Sequence, residues 1–115
     1  MQLPRYAVLL RIFIGEDDKY GNAPLYEAIV LKARELRLAG ATVLRGPMGF
    51  GHSSHLHTAK ILRLSQDLPV VIEIVDDKEK IDNFLKSLNG MMNSGLVTLE
   101  KVQVLQYGTD VPKTS

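Results

Sequence analysis

Pro69–Val75 reads PVVIEIV, and this short run decides the fold. β-branched residues occupy almost every position, which is the composition of a strand. Pro69 stands first, where the loss of one ladder donor is tolerated. Alternation puts Val70, Ile72 and Ile74 on one face and Val71, Glu73 and Val75 on the other. Both faces are therefore apolar, except at Glu73, which reads either as a paired, buried charge or as the one wet position. Directly after it, Asp76 is the expected helix N-cap, with Glu79 three residues on. Ile81, Phe84, Leu85, Leu88 and Met91 or Met92 then form the cleanest amphipathic pattern of the chain, and Asn93-Ser94-Gly95 ends it. The last strand runs through LVTLEKVQVLQY. Its alternation shifts phase near Glu100 and Lys101, which predicts a bulge.

Upstream the same logic applies. Tyr6–Ile14 is a strand buried on most of both faces. GEDDKYGNAP is a polar loop, and Pro24 suits the first turn of a helix. Leu25, Ile29, Ala33 and Leu36 recur at helical spacing, and Gly40 is the expected stop. ATVLR is a second short strand. AKILRLSQDL fits either a short helix or one arm of a hairpin. The order is β-α-β-β-α-β, an α+β, ferredoxin-like arrangement with two helices on one face of an antiparallel sheet. It forms a single domain over residues 1–115, with the core at about 6–107 and a loose polar tail at 108–115. One helical layer cannot cover both apolar faces, so the sheet is expected to pack against other copies.

Composition narrows the function. The chain has 115 residues, 45% hydrophobic and 23% charged, with a formal charge of +1. Its cations are dispersed, so no nucleic-acid surface is expected. It has no Cys, which excludes disulfides, thiol nucleophiles and thiolate metal sites and fits a reducing cytoplasm, the expected location. YAVLLRIFI is too short to span a bilayer and carries Arg11, and no signal-peptide pattern precedes it. No Ser-His-acid or paired-carboxylate arrangement stands out, so no enzyme is indicated.

The glycine-rich stretch Gly40–Ala59, GATVLRGPMGFGHSSHLHTA, holds the candidate site. GPMG is a good type I turn. Gly49 and Gly51, on either side of Phe50, would let the backbone approach a ligand and offer N–H groups to an anion. Arg45 and Arg63 flank the stretch and could meet a phosphate, or simply reach solvent. His52, His55 and His57 raise a metal reading. No Asp or Glu lies near them in sequence to orient the rings, so solvated histidines account for them more simply. Glu16, Asp17 and Asp18 read as a solvated acidic loop rather than a cation site.

LRIFIGEDDKYGNAPLYEAIV, GATVLRGPMGFG, SQDLPVVIEIVD and GLVTLEKVQV resemble uncharacterised protein family 166, also called domain of unknown function 190, from about Leu10 to Tyr107. That family is similar to the PII signalling proteins. The shared pattern is Gly40, Thr42 and Val43, then Gly49, Phe50 and Gly51, then Leu68–Val75. The resemblance implies a homotrimer with its sheets packed inward and a nucleotide in the cleft between subunits. The segment between the second and third strands would be a long loop with an adenine nucleotide at its base. Its contacts would be Arg45, Gly46, Gly49, Phe50, Gly51, His52 and Ser53. The loop would then contact a target such as a membrane transporter or an enzyme. The phosphate loop of PII proteins carries lysine, whereas NGMMNSGLVT has none. Gly95 and the backbone around Asn93 and Ser94 would still offer N–H groups, but three phosphates would be poorly neutralised, which favours AMP or ADP over ATP. The other reading is a trimeric divalent-metal protein, similar to the copper-tolerance proteins of the same fold, using His52, His55 and His57.

Overall fold

The computed structural model describes residues 3–50 and 67–113, and the backbone of 57 and 58. Four strands form one antiparallel sheet: β1 (Tyr6–Gly15), β2 (Thr42–Arg45), β3 (Pro69–Asp76) and β4 (Leu96–Gln103), in the order β2-β3-β1-β4. Helix α1 (Leu25–Glu35) joins β1 to β2, and α2 (Lys78–Asn89) joins β3 to β4. This is the ferredoxin-like order expected from the sequence. AKILRLSQDL lies almost wholly outside the described residues. Two short ribbons are added, Lys19–Tyr20 with Ala23–Pro24 and Met48–Gly49 with His57–Thr58.

The core lies between the sheet and the helices. Val8, Leu10, Ile12 and Ile14 of β1 and Val70, Ile72 and Ile74 of β3 meet Leu25, Ile29 and Ala33 of α1 and Ile81, Phe84 and Leu88 of α2. Phe84 is fully buried, so truncation to Ala would cost about 3–5 kcal/mol. On the opposite face, Leu9, Phe13, Val71 and Val75 stay half-buried. In their midst Arg11 Nε donates to Glu73 Oε2 at 2.9 Å, and Arg11 Nη1 pairs with Glu100. The carboxylate of Glu73, then that of Glu100, holds the Arg11 guanidinium above its ordinary range. Glu73 is therefore a paired charge.

Four local expectations are corrected. The β1–β4 register runs unbroken from Tyr6↔Gln103 to Phe13↔Leu96, so no bulge exists at Glu100. The phase shift has another cause. Val97 and Leu99 pair with Ile12 and Leu10 on the helical face, whereas Val102 and Val104 join Leu3 and Ala7 in a second cluster on the far face.

Helix α1 ends well before Gly40. Arg37 takes the left-handed conformation at φ 60, with Arg37 N donating to Arg34 O and Leu38 N to Ala33 O, each at 3.0 Å. That pair of bonds is a Schellman motif, which favours Gly at the position Arg37 holds.

Pro24 precedes α1 at its N-cap rather than lying inside the first turn.

The α2 cap is Asp77, whose carboxylate accepts from Lys80 N at 2.8 Å. Asp76 instead continues the core-facing alternation of β3 and is 1% exposed. Its carboxylate accepts from Ala39 N at 2.8 Å and Asp77 N at 2.7 Å, with Lys80 Nζ 3.5 Å away. Unpaired, such a buried carboxylate would be costly; here it ties the α1–β2 connection to the start of α2.

Candidate functional site

Both segments singled out as ligand walls reach the same end of the sheet. The end of β2 carries Arg45 and Gly46, next to Pro69 at the start of β3 and Gly15 at the end of β1. Gly95 immediately precedes β4, whose first residue pairs with Phe13. The walls stand at opposite edges of that end, separated by β3 and β1, roughly 14 Å at the usual strand spacing. A single chain does not bring them into contact.

Gly46 and Gly49 have a packing reason of their own. Gly46 N donates to Pro69 O at 2.8 Å. A Cβ at Gly46 would come within 2.9 Å of Pro69 Cγ, and one at Gly49 within 3.0 Å. The chain bends at Pro47 and enters the Met48–Gly49 ribbon in place of a closed turn on GPMG. Phe50 is 74% exposed, so it does not anchor this segment in the core. Gly95 adopts φ +134, with space for a Cβ denied by Phe13 O at 2.8 Å. Asn93 and Ser94 beside it are exposed.

Arg45 corrects the expectation of a cation free to meet phosphate. Its Nε lies 2.7 Å from Glu16 Oε2. Its Nη2 donates to the Tyr26 hydroxyl at 3.0 Å, and the guanidinium stands 5.5 Å from the Tyr26 ring centroid. Pairing register puts Arg45 on the helical face of β2, opposite Val70, which is why it meets the start of α1. Two carboxylates of the acidic loop are thus engaged: Glu16 by Arg45 of β2, and Asp18 by Gly15 N at 3.0 Å. The Glu16–Arg45 pair joins residues far apart in sequence and left no local signal.

Gly51, His52, Ser53, His55 and Arg63 lie outside the described residues, and His57 is described by its backbone alone. Among the described residues no group of three His, Cys, Asp or Glu is placed to hold a metal ion. No helix among them is long and apolar enough to cross a membrane.

This architecture is that of the PII-like proteins. It matches CPII, a nitrogen regulatory PII-like protein from Thiomonas intermedia K12 solved bound to ADP, AMP and bicarbonate, with a TM-score of 0.66 at 18% identity, over 86% of this chain and 88% of that one. A protein from Thermus thermophilus described as PII-like and signalling matches with a TM-score of 0.63 at 18% identity, over 90% and 93%. More narrowly, residues 7–104 match the family DUF190, described as Uncharacterized ACR, and the chain belongs to that family. A UPF0166 protein of Aquifex aeolicus is 43% identical over 97 residues, 84% of this chain and 91% of the relative. One from Methanocaldococcus jannaschii is 34% identical over 104 residues, 90% and 95% of the two chains.

Proposed function

We propose that this is a PII-like regulatory protein that binds an adenine nucleotide, AMP or ADP ahead of ATP, at the base of the β2–β3 segment. The site lies in a cleft completed by a neighbouring subunit of a homotrimer, and the bound state is relayed to a protein target. The observation that carries this reading is the placement of two glycine-bearing segments at one end of the sheet. Gly46, Gly49, Phe50, Gly51, His52 and Ser53 belong to one wall; Asn93, Ser94 and Gly95 belong to the other. A fold neighbour solved with ADP and AMP supports the ligand class.

Charge supports the shorter phosphate chains. Asn89–Thr98 contains no Lys or Arg, so the second wall offers neutral donors, backbone N–H groups among them, and no cation. Arg45 serves a phosphate only by leaving Glu16. The half-buried apolar face of Leu9, Phe13, Val71 and Val75 supports packing of copies through the sheet.

Calorimetry on the wild type with AMP, ADP and ATP tests the ligand, and Gly51→Val tests the site. The β-branched side chain restricts φ and crowds the backbone. Affinity for AMP or ADP should fall tenfold or more, about 1.4 kcal/mol, with the oligomer intact. Absence of heat with all three nucleotides at millimolar concentration refutes the ligand. Wild-type affinity in Gly51→Val refutes the location.

A further inference from the structure

The two members of the Glu16–Arg45 pair are held unequally. The loop that carries Glu16 is fixed through its backbone. Glu16 N donates to Leu68 O and Leu25 N to Asp18 O, each at 2.8 Å. Asp17 N donates to the Asp67 carboxylate at 3.0 Å. The loop is thus tied both to the residues before β3 and to the start of α1. The Glu16 side chain is 24% exposed, against 53% for that of Arg45. Arg45 ends the four-residue edge strand β2, which among the described residues pairs with β3 alone. Its backbone runs directly into Gly46 of the first glycine wall. The carboxylate is therefore the fixed member of the pair, and the guanidinium is the member able to turn.

The chemistry of the pair is that of a competition. A carboxylate and a phosphate accept from the same guanidinium N–H groups. Asp18 and Asp67 are engaged by backbone donors, Gly15 N and Asp17 N, so Glu16 is the carboxylate of this loop that meets the cation. An ion pair this exposed is weak in water. A phosphate of higher charge, offering two oxygens to the planar fork, can displace a carboxylate held at one N–H. An uncharged ligand gains nothing from the exchange.

We propose that Glu16 is a specificity-determining residue. It occupies Arg45 as an internal anion, and a phosphate group at the glycine wall takes Arg45 from it. Affinity for phosphorylated ligands is thereby held down by a competitor built into the loop after β1, while recognition of an uncharged nucleoside is untouched. The inference rests on the nucleotide reading for the phosphate beside Gly46, and adds to it the residue that limits affinity.

The test is calorimetry with ADP, adenosine and pyrophosphate, the last a phosphate probe without a base, at constant ionic strength and without divalent cations. Glu16→Gln removes the charge. Glu16→Asp keeps the charge but draws the carboxylate back from Arg45 by one methylene. Both variants should bind ADP and pyrophosphate at least threefold more tightly than the wild type, with adenosine unchanged. In an Arg45→Gln background, Glu16→Gln should have no effect. Four results would each overturn the proposal: unchanged affinity for ADP and pyrophosphate in both Glu16 variants, equal tightening for adenosine, wild-type behaviour of Glu16→Asp beside a tighter Glu16→Gln, or a gain that persists without Arg45. ADP binding that ignores both Glu16 substitutions refutes this role and leaves the nucleotide reading standing. Pyrophosphate binding with the expected Glu16 effect, but no ADP binding, supports the role of Glu16 and refutes the nucleotide. No binding of either phosphate by any variant refutes both.

Discussion

Replacing Gly95 by Ala should destabilise the protein far more than an exposed glycine substitution does. Two costs combine. At φ +134 an L-residue is in a sparsely populated region, worth about 1–3 kcal/mol. The new Cβ would also stand 2.6 Å from Met92 Cε, 2.8 Å from Phe13 O and 3.3 Å from Ile14 Cγ2. Met92 can swing away, but Phe13 O belongs to the backbone of a central strand. Such overpacking costs about 1–3 kcal/mol. The expected loss is about 2–6 kcal/mol. At about 2.1 cal/mol/K per residue of unfolding entropy, each kcal/mol lowers Tm of a chain this long by about 4 °C, so the drop is about 8–24 °C. The assay is urea denaturation with a thermal melt, at one fixed protein concentration because an oligomer's stability depends on it. Gly40→Ala is the control: nothing lies within 4 Å of its Cβ and its φ is ordinary, so it should be neutral or stabilising by up to about 1 kcal/mol. Adding Met92→Ala to Gly95→Ala should not restore stability. Indistinguishable Gly95→Ala and Gly40→Ala transitions, or full rescue through Met92, would refute the reasoning.

Arg37→Gly should stabilise by about 0.5–1 kcal/mol, because the left-handed conformation costs an L-residue more than Gly loses in backbone entropy; a lower Tm in the variant would contradict this. Light scattering should give a mass near three times 12.8 kDa, and Phe13→Asp should reduce it with secondary structure retained; a monodisperse wild-type monomer at micromolar concentration counts against packing through the sheet. Replacing His52, His55 and His57 together by Ala should leave Tm unchanged with or without a chelator. Chelation that destabilises the wild type and spares the triple variant would favour the metal reading.

Strand and helix order was legible because hydrophobic period carries it. PVVIEIV reads as a strand apolar on both faces and the Ile81-Phe84-Leu88 stripe as the buried face of a helix, and the structure buries Val70, Ile72 and Ile74 against that stripe. Boundaries were less legible where the deciding interaction is tertiary or the residue atypical. Arg37 sits where Gly is expected, so the eye passes to Gly40. Asp76 and Asp77 are both competent caps, and only the alternation Val70, Ile72, Ile74, Asp76 assigns the first to the core; that signal was present in the sequence. The Arg45–Glu16 pair joins the end of β2 to the loop after β1 and had no sequence signal. The candidate walls were found by their glycines, yet Gly46 and Gly49 also meet a packing demand from Pro69 that spacing alone does not reveal.

Strand β2 is four residues long, lies at the sheet edge, and among the described residues pairs on one side only, with β3. Its last rung before the glycine segment is the Gly46–Pro69 hydrogen bond, and Pro69 has no N–H to return a second. The amides of Thr42–Gly46 should therefore exchange with solvent through local fraying, well before those of β1, which is paired on both sides. The base of the β2–β3 segment is thus a margin that opens without disturbing the packed centre. The barrier to such a rearrangement is set by a few edge hydrogen bonds rather than by the global stability of the domain.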